Sequence, residues 1–365
     1  MQVIANREAL NHSLTIATSV IASRTTKPVL QSVKLSATGE ALIVSATDLE
    51  IGVRYIIRQV TVSETGEVVV PADELAQIVR ESGDETLQIE GGQDRCQLRS
   101  RDSHFVLYAS DPRDFPPVME LETSPDMEIQ AGVLRTLIER TVYAAAKEST
   151  RYAINGVLWE CKGRAFQLVA TDGRRLAKAT GVIESAGSGD ATAIVPAKTM
   201  SVLLRLLTDP EAKVGLKFLS NQLVAVVGDA TLSSALLEGT FPRYEDVLPR
   251  DCDKKAELAI GDFSSAVRRA GLLTNEQSKG VRLSFRKGSL ILSSRAPEKG
   301  EATITMPAQY DGEPIDIGFN PAFLTDPLRA LDAETITIEM KEPMRPGIMR
   351  VGEEFVYVVM PISLV

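Results

Sequence analysis

The chain repeats itself three times, and that constrains its fold more than any other feature. The segment ALIVSATD at 41–48 is followed 124 residues later by AFQLVATD at 165–172, and after 124 more by SLILSSRA at 289–296. Each alternates apolar and polar residues, as a half-buried strand does. The preceding strands, opened by Val33, Val157 and Val281, keep the same spacing. Pro71, Pro196 and Pro321 lie 125 residues apart and head the segments PADELAQIVRE, PAKTMSVLLRLL and PAFLTDPLRAL. Proline suits the first turn of a helix, where its missing N–H costs nothing. A second helix opens each unit, over 6–21, 131–147 and 261–273, and Phe115-Pro116, Phe241-Pro242 and Met360-Pro361 close them.

Repeats of this length are domains rather than solenoid units. Polar linkers at 122–126 and 250–255 mark the breaks, so the expected domains are 1–123, 127–250 and 253–365. Two helices packed on antiparallel strands in each give an α+β fold.

Composition removes several classes of function. No apolar run approaches the roughly 18 residues of a membrane helix, and the N-terminal stretch lacks the apolar core of a secretory signal. The expectation is a cytoplasmic protein. Cys96, Cys161 and Cys252 are far apart and only His12 and His104 are available, so neither a disulfide framework nor a zinc site is expected. No P-loop or Gly-rich dinucleotide motif is present, and no cofactor is expected.

The net charge of −9 argues against a generally basic surface, but it is unevenly spread. The six helical segments sum to +2, leaving −11 for strands and loops. On a helical wheel over 131–151, Leu134, Leu137, Ile138, Val142 and Ala145 share one face, with Arg140, Lys147 and Arg151 opposite. Lys198 and Arg205 likewise oppose Leu203, Leu206 and Leu207. Two surfaces of different charge follow. The helix at 72–82, with Asp73, Glu74 and Glu81 around Arg80, departs from the pattern.

The runs RYAINGVLWE (151–160), VATDGRRLA (169–177), GTFPRYEDVLP (239–249), LLTNEQSKGVRL (272–283) and YVVMPISL (357–364), in this order and spacing, resemble the bacterial DNA polymerase III beta subunit family, the β sliding clamps. The resemblance covers essentially the whole chain. It implies a ring-forming clamp fold of three domains. It also implies a head-to-tail homodimer that encircles double-stranded DNA and tethers the polymerase III alpha subunit, the clamp loader, other polymerases and repair proteins. Such a protein is an accessory subunit without its own active site.

The resemblance further implies a partner-peptide pocket at Ile154, Thr171, Gly173, Arg174, Arg175, Leu176, Pro242, Val247, Val358, Val359, Met360, Pro361 and Ile362. An apolar lining with a methionine suits short Leu- or Phe-bearing peptides. Arg174 stands where the family often has His, and Asp246 and Ser363 where basic residues are common. For DNA, the positions that match or extend the family's inner wall are Arg24, Arg80, Arg140, Lys147, Arg151, Tyr152, Lys198 and Arg205. Phe105 and Leu107, with Leu272 and Leu273 of a second chain, are the expected dimer contacts.

Two other classes of function compete with this one. A metal-dependent nuclease would need convergent carboxylates such as Asp48 and Asp172, but these occupy equivalent places in separate repeats, and Asp172-Gly173 reads as a turn. A non-catalytic repeat scaffold could bind peptides without encircling DNA.

Overall fold

The computed structural model describes residues 1–363 apart from 23–24, 122, 149–152, 185–189, 250 and 275–279. Its helices are α1 (Arg7–Val20), α2 (Ala72–Glu81), α3 (Ala131–Glu139), α4 (Ala197–Leu206), α5 (Ile260–Gly271) and α6 (Pro321–Ala330). Asn6 caps α1 by accepting from the Ala9 N–H at 3.0 Å, and Asn320 caps α6 by accepting from Ala322 at 3.0 Å. The apolar stripe Leu10, Leu14, Ala17 and Val20 of α1 is fully buried, and α1 packs on α2 as α5 packs on α6.

The helix expected over 131–147 stops at Glu139. The buried Thr141 hydroxyl donates to the Leu137 carbonyl at 2.7 Å, and a single 3-10 turn, Val142–Ala144, follows. The Ala146 N–H then donates to Ile154 O at 2.9 Å, drawing the chain toward the next strand. The wheel that set Arg140, Lys147 and Arg151 on one face therefore does not apply beyond Glu139.

Every strand pairing is antiparallel, and the chain forms two compact units. The first comprises 1–132, 183–189 and 198–236; the second comprises 133–182, 190–197 and 237–365. The cut runs through the middle repeat because its two strand layers belong to different sheets.

In the first unit, an eight-stranded sheet runs Met127–Gln130, Lys213–Phe218, Gln222–Val227, Ala230–Ala235, Ile51–Ile57, Ala41–Thr47, Ser32–Thr38, Gly66–Pro71. In the second, another runs Ala191–Pro196, Gly156–Lys162, Ala165–Thr171, Arg175–Val182, Phe355–Val359, Gly347–Val351, Thr335–Met340, Lys254–Ala259. Each is four strands of one repeat joined to four of the next.

The joints have the same register. Ala230↔Tyr55 through Ser234↔Ile51 make the first; Phe355↔Ala179 through Val359↔Arg175 make the second. Past each joint one more bond recurs, Ala235 N–H to Glu50 O at 2.8 Å and Met360 N–H to Arg174 O at 2.9 Å. The chain leaves the last strand of all three repeats the same way, with Ser110 N–H bonding Val69 O, Leu237 bonding Ile194 O and Ile362 bonding Gly318 O.

Two smaller sheets remain. In the first unit, His104–Tyr108 is the edge of a five-stranded sheet; in the second, Gly300–Pro307 is the edge of a four-stranded one. By the repeat, these strands are the counterparts of Ala230–Ala235 and Ile51–Ile57.

Candidate functional site

The turn after Ala165–Thr171 is built by its own side chains. Asp172 Oδ1 accepts from the Arg174 and Arg175 N–H groups at 2.9 and 3.1 Å, and the Thr171 hydroxyl donates to Arg175 O at 2.7 Å. Gly173 sits at φ 84°, left-handed backbone that glycine adopts freely. The carboxylate is spent on the turn, as the Asp-Gly pair predicts. The first repeat makes the same turn: Asp48 Oδ1 accepts from Glu50 and Ile51 at 3.0 and 2.7 Å. There, however, Leu49 occupies the glycine position at φ 80°, with 55% of its surface exposed.

Behind the Thr171 turn lies an apolar cluster of Ile154, Leu158, Val169, Leu176, Phe241, Tyr244 and Val358, closed by Leu248. Leu176 and Val358 face each other across the second joint. Tyr244 stands within GTFPRYEDVLP but carries no site signal of its own in the sequence. Its hydroxyl donates to Glu160 Oε2 at 2.7 Å and accepts from Gln167 at 2.7 Å. Burial, and then the Glu160 carboxylate, push its phenol well above the usual tyrosine value.

Of the pocket positions, Ile154, Thr171, Leu176, Val358 and Val359 are buried, and Pro242, Pro361 and Ile362 are half-buried. Gly173 and Arg174 are exposed, as are Val247 (44%) and Met360 (40%). The result is an apolar floor with Val247 and Met360 left exposed beside it, of which the methionine has a flexible side chain.

Arg175 faces inward. Its Nη1 pairs with Asp326 on α6 at 2.6 Å, its Nε with Asp172 at 3.0 Å, and its Nη2 donates to Tyr143 O at 2.7 Å. The guanidinium also lies 4.5 Å from the Phe323 ring centroid. It thus ties the Thr171 turn to α6. Tyr357 donates to Phe323 O at 2.7 Å beside it. Nothing in the Gly-Arg-Arg-Leu run distinguishes Arg175 from its exposed neighbour Arg174; only the fold does.

The residues expected to face DNA divide. Arg205 and Lys147 are exposed, with no ion pair to any described residue. Arg80 is exposed and 3.4 Å from Glu81. Lys198 is engaged: its ammonium pairs with Asp48 at 2.5 Å and donates to Val20 O at 2.7 Å. Arg140 is 12% exposed and lies 3.9 Å from Glu354. Arg24, Arg151 and Tyr152 lie outside the described residues.

The free edge His104–Tyr108 carries exposed Phe105 (42%), Val106 (46%) and Tyr108 (78%), with Leu107 half-buried. Leu272, 76% exposed, and half-buried Leu273 follow α5, and a Cβ at Gly300 would lie 3.9 Å from Leu273 Cδ1. Leu273 therefore lies beside the Gly300–Pro307 edge.

Among the described residues no three His, Cys, Asp or Glu side chains gather closely enough to hold a metal ion. No described helix is long and apolar enough to cross a membrane.

The architecture is that of known proteins. The DNA polymerase III beta subunit family matches in all three of its domains: N-terminal over 1–120, central over 128–243 and C-terminal over 245–363. The chain belongs to this family. It is 33% identical to the beta sliding clamp of Pseudomonas putida over the full length of both proteins, and 32% identical to that of Vibrio cholerae, again end to end. Among solved structures, a Pseudomonas aeruginosa sliding clamp bound to griselimycin superposes with a TM-score of 0.94 at 32% identity, covering both chains completely. A Bacillus subtilis clamp gives 0.94 at 26% identity, with the same coverage. The three-domain α+β fold is thus the sliding-clamp fold, and the function it carries is that of a DNA sliding clamp in replication.

Proposed function

We propose that two copies of this chain close head to tail into a ring around duplex DNA, and that the Thr171–Met360 pocket tethers the replicative polymerase and other replication and repair proteins to it in the cytoplasm. The observation that carries this reading is the repeated joint. Two of its three possible instances are filled within one chain, in one register. The third has both of its strands free, one in the first domain and one in the third. An exposed apolar edge strand calls for a partner. Carrying the register over pairs His104 with Thr303, Phe105 with Ala302, Val106 with Glu301 and Leu107 with Gly300 of the partner subunit. Phe105 would then meet Leu272 and Leu273 of the partner subunit. On this reading the domains are the three repeats, 1–123, 127–250 and 253–365.

The clamp needs no active site. Contacts to the phosphate backbone hold DNA without reading its sequence and so permit sliding. With Lys198 and Arg140 engaged within the chain, direct affinity comes from few free cations such as Arg205 and Lys147. Retention then rests on topology, and the pocket's buried floor takes the apolar residues of partner peptides.

Topological retention tests this. The protein is loaded on nicked circular DNA by its cognate loader, washed at high salt, and half the sample is linearised. Salt strips a purely electrostatic binder. Survival on circles with loss from linear DNA is expected. Equal retention on both forms, or failure to load where a control clamp loads, overturns the ring and leaves a peptide-binding scaffold.

A further inference from the structure

The second helix of every repeat ends on an arginine. Arg80 stands in the last turn of α2, Arg205 in that of α4 and Arg329 in that of α6, and α5 carries Arg268 and Arg269 in its own last turn. A cation there complements the negative end of the helix dipole. The dipole is common to all these helices, so it does not explain how differently the repeats treat their cations.

On α2, Arg80 lies 3.4 Å from Glu81, while Asp73 and Glu74 are exposed with no ion pair to any described residue. In the second repeat Arg205 is exposed and unpaired among the described residues, but Lys198 is held by Asp48 at 2.5 Å. In the third, Arg268, Arg269 and Arg329 are all exposed, and none has an ion pair to any described residue. Arg268 donates to Ser264 Oγ at 3.1 Å and Arg269 to Ser265 O at 3.4 Å, neutral acceptors one turn back that leave both charges uncompensated. Among the described helix residues, Arg205 is the one cation outside the third domain with the same freedom. α5 and α6 pack on each other and bury Phe263, Val267, Leu324 and Leu328, so the three arginines stand on the solvent side of one helix pair.

We infer that the third domain's helix pair carries the phosphate contacts of the closed ring, through Arg268, Arg269 and Arg329, while the acidic α2 of the first domain turns the DNA backbone away. The inference rests on the ring proposed above, in which the repeat puts the helix pairs on one wall, where Arg80, Lys198 and Arg205 are expected to meet DNA. The family resemblance supplies no DNA position beyond Arg205; the distribution of uncommitted charge does. Guanidinium groups suit phosphate oxygens because they can donate two parallel hydrogen bonds. Contacts of this kind read no sequence, so they leave the ring free to slide. Two chains give two such basic stations per ring, and the acidic helices keep the rest of the wall from holding the duplex.

The test measures binding of the full-length protein to a fluorescently labelled linear duplex by anisotropy, over about 50 to 200 mM salt. Each lost phosphate contact lowers the slope of log K against log salt by about 0.9. Arg268→Gln with Arg329→Gln should therefore lower it by about 2 or more, whereas Arg80→Gln should change it by less than about 0.5. Asp73→Asn with Glu74→Gln should tighten binding severalfold at the low end of the range and much less at the high end, where exposed charges are screened. An unchanged slope in the third-domain variant, an equal loss in Arg80→Gln, or a wild-type chain without a salt slope overturns the assignment. A lower urea midpoint with an unchanged slope also overturns it, because the arginines would then serve only the helix dipole. The ring is read separately, by loading the same variants on nicked circles. Retention that survives high salt and ends on linearisation should persist in all of them, since topology does not depend on these cations. If the wild-type chain fails that assay, the ring reading falls and the inference with it.

Discussion

Cysteines introduced at Val106 and Glu301 test the unfilled joint through its register. At the filled joints the equivalent residues face each other directly, as Ser233↔Gly52 and Val358↔Leu176. Directly opposed Cα atoms in an antiparallel pair lie about 4.5 or 5.5 Å apart. A disulfide spans about 4.4–6.8 Å between Cα atoms. A slip of two residues keeps the side chains on one face but displaces them by about 6.8 Å along the strand, which puts the Cα atoms about 8.5 Å apart and out of reach. Val106→Cys with Glu301→Cys should therefore yield covalent dimers on mild oxidation, while Val106→Cys with Thr303→Cys should not. Both are made with Cys252→Ser, because Cys96 and Cys161 are buried and Cys252 is the native thiol with solvent access. Burial also holds the Cys96 thiol up to about 12, so it stays protonated and unreactive at the pH of the assay. Non-reducing gels count the cross-links, and mass spectrometry of the linked peptide identifies them. Preferential linkage of the Val106–Thr303 pair, or no linkage in a protein that sediments as a dimer, refutes the transfer of register from the inner joints.

Replacing both Leu272 and Leu273 with Asp should give monomers by sedimentation velocity; an unchanged dimer removes them from the interface. Deleting 360–365 should abolish peptide binding in a titration while the dimer persists, and unaltered affinity would count against the pocket. Leu49→Gly should raise the urea midpoint by the equivalent of about 0.5–1 kcal/mol, because left-handed backbone costs leucine about 1–2 kcal/mol and glycine returns about 0.5–1 kcal/mol through its unfolded-state entropy; a fall of similar size would show that the exposed Leu49 side chain makes stabilising contacts. Arg175→Met should destabilise by about 3 kcal/mol in chemical denaturation, since it removes the 10%-exposed guanidinium and leaves the Asp326 carboxylate without its ion pair. Unchanged stability would mean that water replaces the guanidinium.

The repeat was legible because spacing survives where identity does not. Strand pairs and helix-opening prolines keep their intervals even where ALIVSATD at 41–48 and SLILSSRA at 289–296 share few residues. What the sequence withheld lies across long separations or in single hydroxyls. Thr141 bonds back to Leu137 just past the end of α3 at Glu139, although the apolar periodicity of the sequence runs on to Ala145. Lys198 reads as a free helix cation until Asp48, 150 residues away, is seen beside it. Arg174 and Arg175 are adjacent and alike in sequence, yet one faces solvent and the other is enclosed by Asp172, Asp326 and two aromatic rings. Tyr244 lacked any periodic signal, because it enters the cluster from a single 3-10 turn rather than from a strand.

The same facts bear on two ways of staying on DNA. A protein that grips the duplex needs a field of uncommitted cations, and its affinity falls steeply with salt. This chain carries −9 overall, spends Lys198 on Asp48 and sets Arg140 against Glu354, while keeping an apolar edge strand exposed. An exposed edge is a liability that aggregation punishes unless something covers it. A head-to-tail contact satisfies both edges only if the rotation closes; otherwise it propagates into a filament. With the inner joints holding one register, every joint of a closed assembly would be alike, and cations could be few because escape would then require a joint to open. Chain mass at rising protein concentration separates the two outcomes: a plateau at two chains fits closure, and continued growth would show an open polymer and end the ring reading.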